Sequence, residues 1–200
     1  MREMIKMVLV LTMITAVSGG ILSVLKTSTE GKIEEQVLKF QKAPAIKEIF
    51  NNATNEPLKD RFKLKAEIKG KSQEITFFPG ILDNGTKAVA FEAKGGGFGG
   101  DVGLMVGIDL GTDKIIKTRV TTHSETPGVG SRAKDDTNFV SQFAGMGLNS
   151  NFKVKKDGGD IDAMSGATVT SRGVCLAAAQ VQQLYLKLKP QILDEMKKIK

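Results

Sequence analysis

Tryptophan is absent from this 200-residue chain, and cysteine, histidine and tyrosine occur once each. The lone Cys175 cannot form an internal disulfide and is expected to be a small packing residue. One histidine without any Cys-x-x-C pair offers no ligand cluster for zinc or for a cysteine-ligated iron–sulfur centre. The net charge of +7 is scattered, and the chain lacks the aromatic, basic stretches that stack nucleobases, so no nucleic-acid partner is expected. Any redox chemistry therefore requires an organic cofactor or a partner protein.

The first apolar segment, Met7–Leu25, holds nineteen consecutive uncharged residues. As an α-helix it would span roughly 28 Å, close to the ~30 Å hydrocarbon core of a bilayer. Arg2 and Lys6 precede it, and positive charges at this flank favour a cytoplasmic amino terminus. The segment therefore predicts a single membrane anchor over residues 1–26, with the rest of the chain on the outer side of a bacterial inner membrane.

A cleaved signal peptide is the alternative for the same segment. Ala16-Val17-Ser18 has the small-x-small pattern of a cleavage site. The apolar run continues beyond this pattern to Leu25, which is longer than the apolar region of an ordinary signal peptide and favours the anchor. Both interpretations export the domain that follows.

The region between the anchor and the first strand, residues 27–60, is predicted as a helical linker. Thr27–Gly31 is expected to be a polar connector at its start. Apolar residues then recur at helical spacing from Val37 to Phe50, and Pro44 is expected to divide this run into two short helices.

The remaining chain, residues 61–200, is predicted as one domain of the α+β class. Phe62–Lys69 alternates apolar and charged residues, which is the period of a half-buried strand. Further strands are expected at Glu74–Phe78, Lys87–Ala93, Leu104–Asp109 and Ile115–Thr122, with turns at Asp83-Asn84-Gly85 and Leu110–Asp113. Because strands do not alternate with long helices, we expect a single transmembrane helix followed by a mostly antiparallel sheet packed with helices, and no doubly wound parallel sheet.

Helices are expected to follow the sheet. A short amphipathic helix is predicted with Asp136 or Thr137 as its cap, and Phe152–Lys155 is predicted as a short strand. The closing helix is expected to begin near Arg172 and to be kinked at Pro190.

One stretch before the closing helix, Ser165–Ser171, concentrates glycine, alanine and hydroxyl-bearing residues. At a helix start, free backbone N–H groups and the positive end of the macrodipole attract anions, and Gly166 lets an anion approach the backbone closely. This arrangement favours phosphate binding. The alternative is that Thr170 or Ser171 simply caps the helix, as such residues commonly do, and spacing alone does not decide between the two.

The string Asp162-x-x-Ser165-Gly166-Ala167-Thr168, followed by Val169-Thr170-Ser171, resembles the flavinylation motif of the FMN-binding domain family. In that family the last threonine of the motif, matched by Thr168, carries FMN through a phosphoester bond. The resemblance implies contacts to the cofactor from Ser165, Gly166, Ala167, Val169, Thr170 and Ser171. It gives Asp162 a role in the conformation of the motif or in the attachment reaction, where magnesium would offset its charge.

Two further stretches resemble loops of the same family. Gly95–Gly100 is similar to its glycine-aromatic-glycine loop and makes Phe98 the candidate for packing beside the flavin; the alternative is a flexible hairpin loop. The second stretch is similar to the family's Glu-Thr-Pro-Gly-x-Gly segment and implies FMN contacts from Glu125, Thr126, Pro127, Gly128, Val129 and Gly130. His123 joins them as a hydrogen-bonding loop residue, because flavin electron transfer needs no general base. The resemblance implies neither a catalytic side chain nor a metal ligand.

Within the family, the G subunits of Rnf-type ferredoxin:NAD oxidoreductases resemble this chain in length and in their single apolar amino-terminal segment. The resemblance implies a membrane-anchored flavoprotein subunit that relays electrons between membrane and iron–sulfur subunits of an ion-translocating complex, with FMN attached by a separate flavin transferase. The C subunit of the sodium-translocating NADH:quinone oxidoreductase and a stand-alone exported FMN carrier are alternatives. An anchored interaction module without flavin, in which the Ser-Gly-Ala-Thr loop is a helix cap, is an alternative from another class.

Overall fold

The structure is a computed structural model that describes residues 1–68 and 70–199. Lys69, expected at the end of the first strand, lies outside the described residues, as does the last residue of the predicted domain, Lys200. The chain divides into two compact units, Met1–Phe40 and the part that begins at Gln41.

The amino-terminal unit is dominated by helix α1 (Arg2–Val37), which is followed by a π-helical turn, Leu38–Lys42. Within the part of the chain that the structure describes, the helical stretch that contains α1 is the one that is long and apolar enough to cross a membrane by length and composition. The predicted connector Thr27–Gly31 is wrong, because these residues are helical. The hydroxyl groups of Thr27 and Thr29 donate to carbonyls one turn back, and a single glycine costs only about 1 kcal/mol in a helix.

Five antiparallel strands form one meander sheet in the order β1-β2-β3-β4-β5, as the α+β prediction requires. The strands are β1 (Phe62–Ile68), β2 (Lys71–Ile81), β3 (Lys87–Gly96), β4 (Asp101–Asp109) and β5 (Lys114–Val120). The two predicted turns connect β2 to β3 and β4 to β5. Asp113 in the second turn has a positive φ of 54°, a conformation that aspartate adopts more readily than most residues.

Both faces of the sheet are covered by helices. On strand β3, Val89 and Phe91 point into the core that contains the closing helix α5 (Thr168–Met196), and the alternate residues Ala88 and Ala90 are buried on the opposite face. Helix α2 (Ala43–Ile49) contacts β4 and β5. The central strands therefore carry small or apolar residues at nearly every position, since neither side faces water.

Helix α2 is fastened to the sheet by an ion pair. Glu48 accepts two hydrogen bonds from the Arg119 guanidinium, which holds the pKa of Glu48 down at about 2, with further help from Lys117. Pro44 lies in the first turn of α2, where proline is tolerated. The prediction that Pro44 separates two short helices is therefore wrong, because α1 and the π-helical turn precede it without an intervening loop.

Short helices follow the sheet. They are α3 (Arg132–Asp135) and α4 (Thr137–Ser141), and the predicted cap Asp136 accepts a 2.9 Å hydrogen bond from the Asn138 N–H. The predicted strand at Phe152–Lys155 is wrong. Val154 forms only an isolated bridge to Ile161, because the chain turns into a 3-10 helix immediately after it.

Helix α5 begins at Thr168, one turn earlier than predicted, and continues through Pro190 to Met196. Near its middle, the buried Tyr185 hydroxyl donates a 2.6 Å hydrogen bond to Asp113 in the β4–β5 turn, and Lys189 forms a salt bridge to the same carboxylate. Burial and the neighbouring carboxylate raise the pKa of Tyr185, so the hydroxyl remains a donor. These contacts fix the helix whose amino-terminal end carries the motif.

Candidate functional site

The threonine loop, Asp162–Thr168, is a tight turn that leads into helix α5. The Ala167 N–H donates a 3.0 Å hydrogen bond to the Met164 carbonyl, and Gly166 has a φ of +76°. A positive φ at the third residue of such a turn is the mark of type II, in which glycine is strongly favoured. The space around Gly166 is open, so backbone conformation is the reason for glycine here.

The beginning of α5 has no side-chain cap. Its N-cap residue is Ala167, and the first intrahelical bond runs from the Ser171 N–H to the Ala167 carbonyl at 3.0 Å. The N–H groups of Thr168, Val169 and Thr170 therefore have no acceptor within the helix. Neither Thr170 nor Ser171 caps the helix, because both lie inside its first turn. The start of this 29-residue helix fits an anionic group such as a phosphate.

The four hydroxyls of the motif differ in accessibility. The Ser171 hydroxyl is fully buried, accepts a 2.9 Å hydrogen bond from the Met164 N–H and donates to the Ala167 carbonyl at 3.0 Å. The buried Thr170 hydroxyl donates a 2.5 Å hydrogen bond to Glu125. Ser165 is exposed and Thr168 is half-buried. Thr168 thus combines a partly exposed side chain with a place at the first position of the helix.

Glu125 joins the three stretches that resemble the family. Its carboxylate is buried, with Oε2 bound to the Thr170 hydroxyl and Oε1 accepting a 2.9 Å hydrogen bond from the Gly99 N–H. Gly130 is buried beside both side chains, and a Cβ there would lie 2.8 Å from Glu125 Cβ and from Thr170 Oγ1. Both carboxylate oxygens of Glu125 are thus engaged inside the protein.

The glycine run is a packed element. Gly95 and Gly96 end strand β3, and the hairpin is closed by a 2.8 Å hydrogen bond from the Gly97 N–H to the Gly100 carbonyl. A Cβ on Gly95 would lie 2.8 Å from the Ala177 backbone nitrogen, and one on Gly173 would lie 2.7 Å from the Gly96 carbonyl oxygen. The glycines therefore let the strand end and helix α5 touch backbone to backbone.

Apolar side chains of three segments are exposed around this arrangement. Phe98, at the tip of the hairpin, is 76% exposed, and Val129 and Val169 are each 44% exposed. Phe98 is tied to the motif through the Gly99–Glu125 hydrogen bond, and Val169 follows Thr168 directly. Side chains of this kind fit an aromatic ring system, which gains free energy from apolar contact on its faces.

The rest of the Glu-Thr-Pro-Gly segment forms a turn at the surface. Thr126, Pro127 and Gly128 are exposed, and the Val129 N–H donates a 3.2 Å hydrogen bond to the Thr126 carbonyl. His123 Nδ1 accepts a 3.3 Å hydrogen bond from the Glu125 N–H, which makes it a hydrogen-bonding loop residue.

Asp162 lies at the start of the threonine loop with an exposed side chain. Its carboxylate forms a 2.7 Å salt bridge to Lys155, and Gln142 bonds to both its backbone N–H and its carbonyl. Asp162 thereby fixes the entry to the loop, and the structure gives its carboxylate no contact with Thr168. Among the residues described, no three His, Cys, Asp or Glu side chains are grouped as a metal site would require.

Arg132 is a site residue that the sequence did not single out. Its Nε donates a 3.2 Å hydrogen bond to the Val129 carbonyl, and its Nη2 donates to the Ser165 carbonyl. Arg132 therefore connects the Glu-Thr-Pro-Gly turn to the threonine loop. The only signal in the sequence is its position two residues after Gly130.

Residues 97–183 match the family described as FMN-binding domain, a range that contains the Glu-Thr-Pro-Gly segment, the threonine loop and all of the glycine stretch except Gly95 and Gly96. The chain is 31% identical over 197 residues to the G subunit of the ion-translocating oxidoreductase complex of Escherichia coli (strain K12), covering 93% of this chain and 92% of the relative. It is 32% identical over 199 residues to the corresponding protein of Pasteurella multocida (strain Pm70), covering 96% and 93%.

Two solved structures share the fold. One is NqrC of Shewanella oneidensis, with a TM-score of 0.50, 25% identity and coverage of 70% of this chain and 73% of that one. The other is the C subunit of the Na(+)-translocating NADH-quinone reductase of Parabacteroides distasonis, with a TM-score of 0.52, 20% identity and coverage of 68% and 78%. The likeness supports the α+β architecture predicted from the strand pattern.

Proposed function

Because the chain belongs to the family of G subunits of ion-translocating oxidoreductase complexes and contains an FMN-binding domain, we propose that it is an electron-relay subunit whose FMN is bound covalently to Thr168. Ion translocation and the complete redox reaction belong to the assembled complex in this proposal. The subunit itself holds and positions the flavin.

The observation that carries the proposal is the position of the Thr168 hydroxyl. The Thr168 side chain is partly exposed, it lies at the first residue of a 29-residue helix, and the N-cap Ala167 offers no side-chain acceptor to the free N–H groups. A phosphoester on Thr168 would place its negative charge at the positive end of the helix dipole. Thr170 and Ser171 are less suitable nucleophiles, because burial and hydrogen bonds within the protein occupy their hydroxyls.

Attachment is a phosphoryl transfer. The Thr168 oxygen would form a bond to the phosphorus on the FMN side of FAD as the pyrophosphate bond breaks, with AMP as the leaving group. The hydroxyl proton would pass to the flavin transferase, where magnesium would offset the charge of the phosphates. The product is a phosphodiester between Thr168 and the flavin, and no oxidation or reduction occurs in this step.

When bound, FMN supplies one- and two-electron transfer. The chain's own residues would hold it: the free N–H groups at the start of α5 would bind the phosphate, and the exposed side chains of Phe98, Val129 and Val169 would offer apolar contact to the ring. Glu125 contributes by fixing the hairpin that bears Phe98. Electron donors and acceptors are membrane and iron–sulfur subunits of the complex in this proposal, since the chain itself lacks a cysteine cluster.

The same proposal assigns α1 as a single-pass anchor in the bacterial inner membrane. An apolar helix near the amino terminus and relatives named as subunits of ion-translocating complexes support it. Arg2 and Lys6 favour a cytoplasmic amino terminus, which places the FMN-binding domain on the periplasmic or extracellular side.

The test is the intact mass of the full chain co-expressed with a flavin transferase. We expect wild type and Thr168→Ser to gain the mass of FMN minus water, because serine keeps the nucleophilic oxygen. Thr168→Ala should gain nothing. Thr137→Ala is the matched control, since Thr137 is an exposed threonine at the first residue of helix α4 and its removal should leave the added mass unchanged. An unmodified wild type beside an active transferase would refute the proposal.

A further inference from the structure

The central peptide of the turn in the threonine loop has two possible orientations. Type I and type II turns differ by a flip of the peptide between their second and third residues, which here are Ser165 and Gly166. Gly166 has a φ of +76° in the structure, as type II requires, but glycine adopts the negative φ of type I about as readily. Glycine permits the type II turn without enforcing it.

Arg132 bonds to the group that flips. Its Nη2 donates to the Ser165 carbonyl, which is the oxygen of the central peptide, while its Nε donates to the Val129 carbonyl at 3.2 Å. The guanidinium is planar and presents its N–H donors in a fixed fork. The hydrogen bond from Nε to the Val129 carbonyl therefore fixes the direction in which the Nη2 N–H points. A flipped peptide would turn the Ser165 oxygen away from Arg132 and leave the Nη2 donor bonded only to water.

The Val129 end of this clamp is itself held in place. The Glu-Thr-Pro-Gly turn begins after Glu125, whose buried carboxylate is bonded to Thr170 and to Gly99. Arg132 is the first residue of α3, and the Ala133 next to it is fully buried in the core. The guanidinium therefore extends from a fixed backbone to the peptide that can flip within the turn.

We propose that Arg132 is a positioning residue that selects the type II form of the threonine loop and so presents Thr168 to the flavin transferase. The consequence for flavin attachment rests on the proposed function, whereas the selection of the turn type concerns the unmodified chain. An enzyme that binds only one of two forms has an apparent affinity lowered by the fraction of that form. Loss of the clamp should therefore raise the KM for the chain as acceptor and leave kcat nearly unchanged.

The variants separate hydrogen-bond geometry from charge. Arg132→Gln removes the charge and the fork, whereas Arg132→Lys keeps the charge but replaces two separated nitrogen donors by one. Arg61→Gln is the matched control, because Arg61 is also an arginine that donates to a backbone carbonyl, that of Leu58, in a different loop. Thermal unfolding of each full-length variant in detergent verifies that the domain is folded.

Two readouts are measured on these variants. With FAD, magnesium and a flavin transferase, we expect Arg132→Gln to raise the KM for the acceptor about tenfold, equivalent to about 1.4 kcal/mol. Arg132→Lys should raise it severalfold, and kcat should stay within about twofold of wild type. In the unmodified full-length protein, the NMR chemical shifts of Gly166 should move in Arg132→Gln from values of a positive φ toward those of a negative φ, because the flipped peptide gives Gly166 the type I conformation.

The results that overturn the inference are distinct from failure of the proposed function. A wild-type chain that acquires no FMN refutes the proposed function, and the NMR shifts of Gly166 still test the clamp. Unchanged KM and unchanged Gly166 shifts in Arg132→Gln refute the clamp even if Thr168 is modified. A lower kcat with unchanged KM, restored by Arg132→Lys, would mean that the charge acts on the transferring phosphate, and it would also overturn positioning.

Discussion

Glu125 shows how a single side chain organises the candidate site. One carboxylate oxygen bonds to the Thr170 hydroxyl in α5 and the other to the Gly99 N–H in the hairpin. A direct contact of this carboxylate with the flavin remains a prediction from family resemblance. The contacts within the chain give it a second contribution, because a buried carboxylate whose partners come from two segments holds those segments at one separation.

Cys175 yields a prediction that depends on pH. Burial raises the pKa of its thiol to about 12, with a smaller contribution from the Asp157 carboxylate. Since the thiolate is the reactive form, the native chain should react with an alkylating reagent far more slowly than the unfolded chain between pH 7 and 9. Because the pKa of the thiol is higher in the folded chain than in the unfolded one, the contribution of the protonated thiol to the free energy of unfolding is complete below pH ~8.5. That contribution is lost as pH rises toward 12.

The measurement is the alkylation rate of Cys175 in the full chain with and without denaturant. Labelling of the native protein that is as fast as labelling of the unfolded chain would contradict the buried environment. Cys175→Ala provides the background rate, because the chain has one cysteine.

At the scale of single residues, the sequence identified Thr168 through its motif but did not identify Arg132. The Arg132–Ser165 bond joins residues 33 positions apart, and the Thr170–Glu125 bond joins residues 45 positions apart. Such contacts depend on how the loops are folded together, which periodicity and spacing do not report. The buried state of Thr170 and Ser171 could not be inferred for the same reason.

At the scale of structural elements, the end of β3 and helix α5 approach each other backbone to backbone beside the site. Gly173→Ala would place a Cβ 2.7 Å from the Gly96 carbonyl oxygen and 3.1 Å from Gly97 Cα. Because backbone atoms cannot move aside as a flexible side chain can, we expect a loss of about 1–3 kcal/mol in the free energy of unfolding.

The matched control for this contact is Gly96→Ala. Its Cβ would meet no atom within 4 Å, and Gly96 lies in a strand without a positive φ. Replacement there should change stability by less than about 1 kcal/mol, because the alanine reduces the entropy of the unfolded chain. Chemical denaturation of both variants measures the free energy of unfolding. Equal losses of that free energy at the two positions would contradict the backbone-to-backbone contact.

The sequence predicted elements correctly where a single hydrophobic period or a clear run of turn residues dominates. The alternation at Phe62–Ile68 and the turn residues at Leu110–Asp113 predicted β1 and the β4–β5 turn correctly. Besides the division at Pro44, two local predictions were wrong. Thr27–Gly31 is helical because hydroxyls bond within the helix, and the strand predicted at Phe152–Lys155 gives way to a 3-10 helix. Short polar segments carry too little pattern to separate these outcomes.

For the whole molecule, the proposed topology places α1 in the membrane and the FMN-binding domain outside the cytoplasm. Lys156→Cys introduces an exposed thiol in the domain, and Glu3→Cys introduces one at the amino terminus. In intact spheroplasts, a membrane-impermeant maleimide should label Lys156→Cys and should reach Glu3→Cys only after lysis. The buried Cys175 keeps the background low. Labelling of Glu3→Cys but not of Lys156→Cys in intact spheroplasts would contradict the proposed orientation.

The claim that Thr168 carries FMN is tested most directly by fragmentation of one tryptic peptide. Cleavage after Lys156 and Arg172 releases Asp157–Arg172, which contains the four candidate hydroxyls of Ser165, Thr168, Thr170 and Ser171. For full-length protein matured with a flavin transferase, we predict the mass of FMN minus water on fragments that include Thr168, and none on carboxyl-terminal fragments that begin at Val169. An unmodified peptide, or an adduct on any of the other three hydroxyls, would contradict the account.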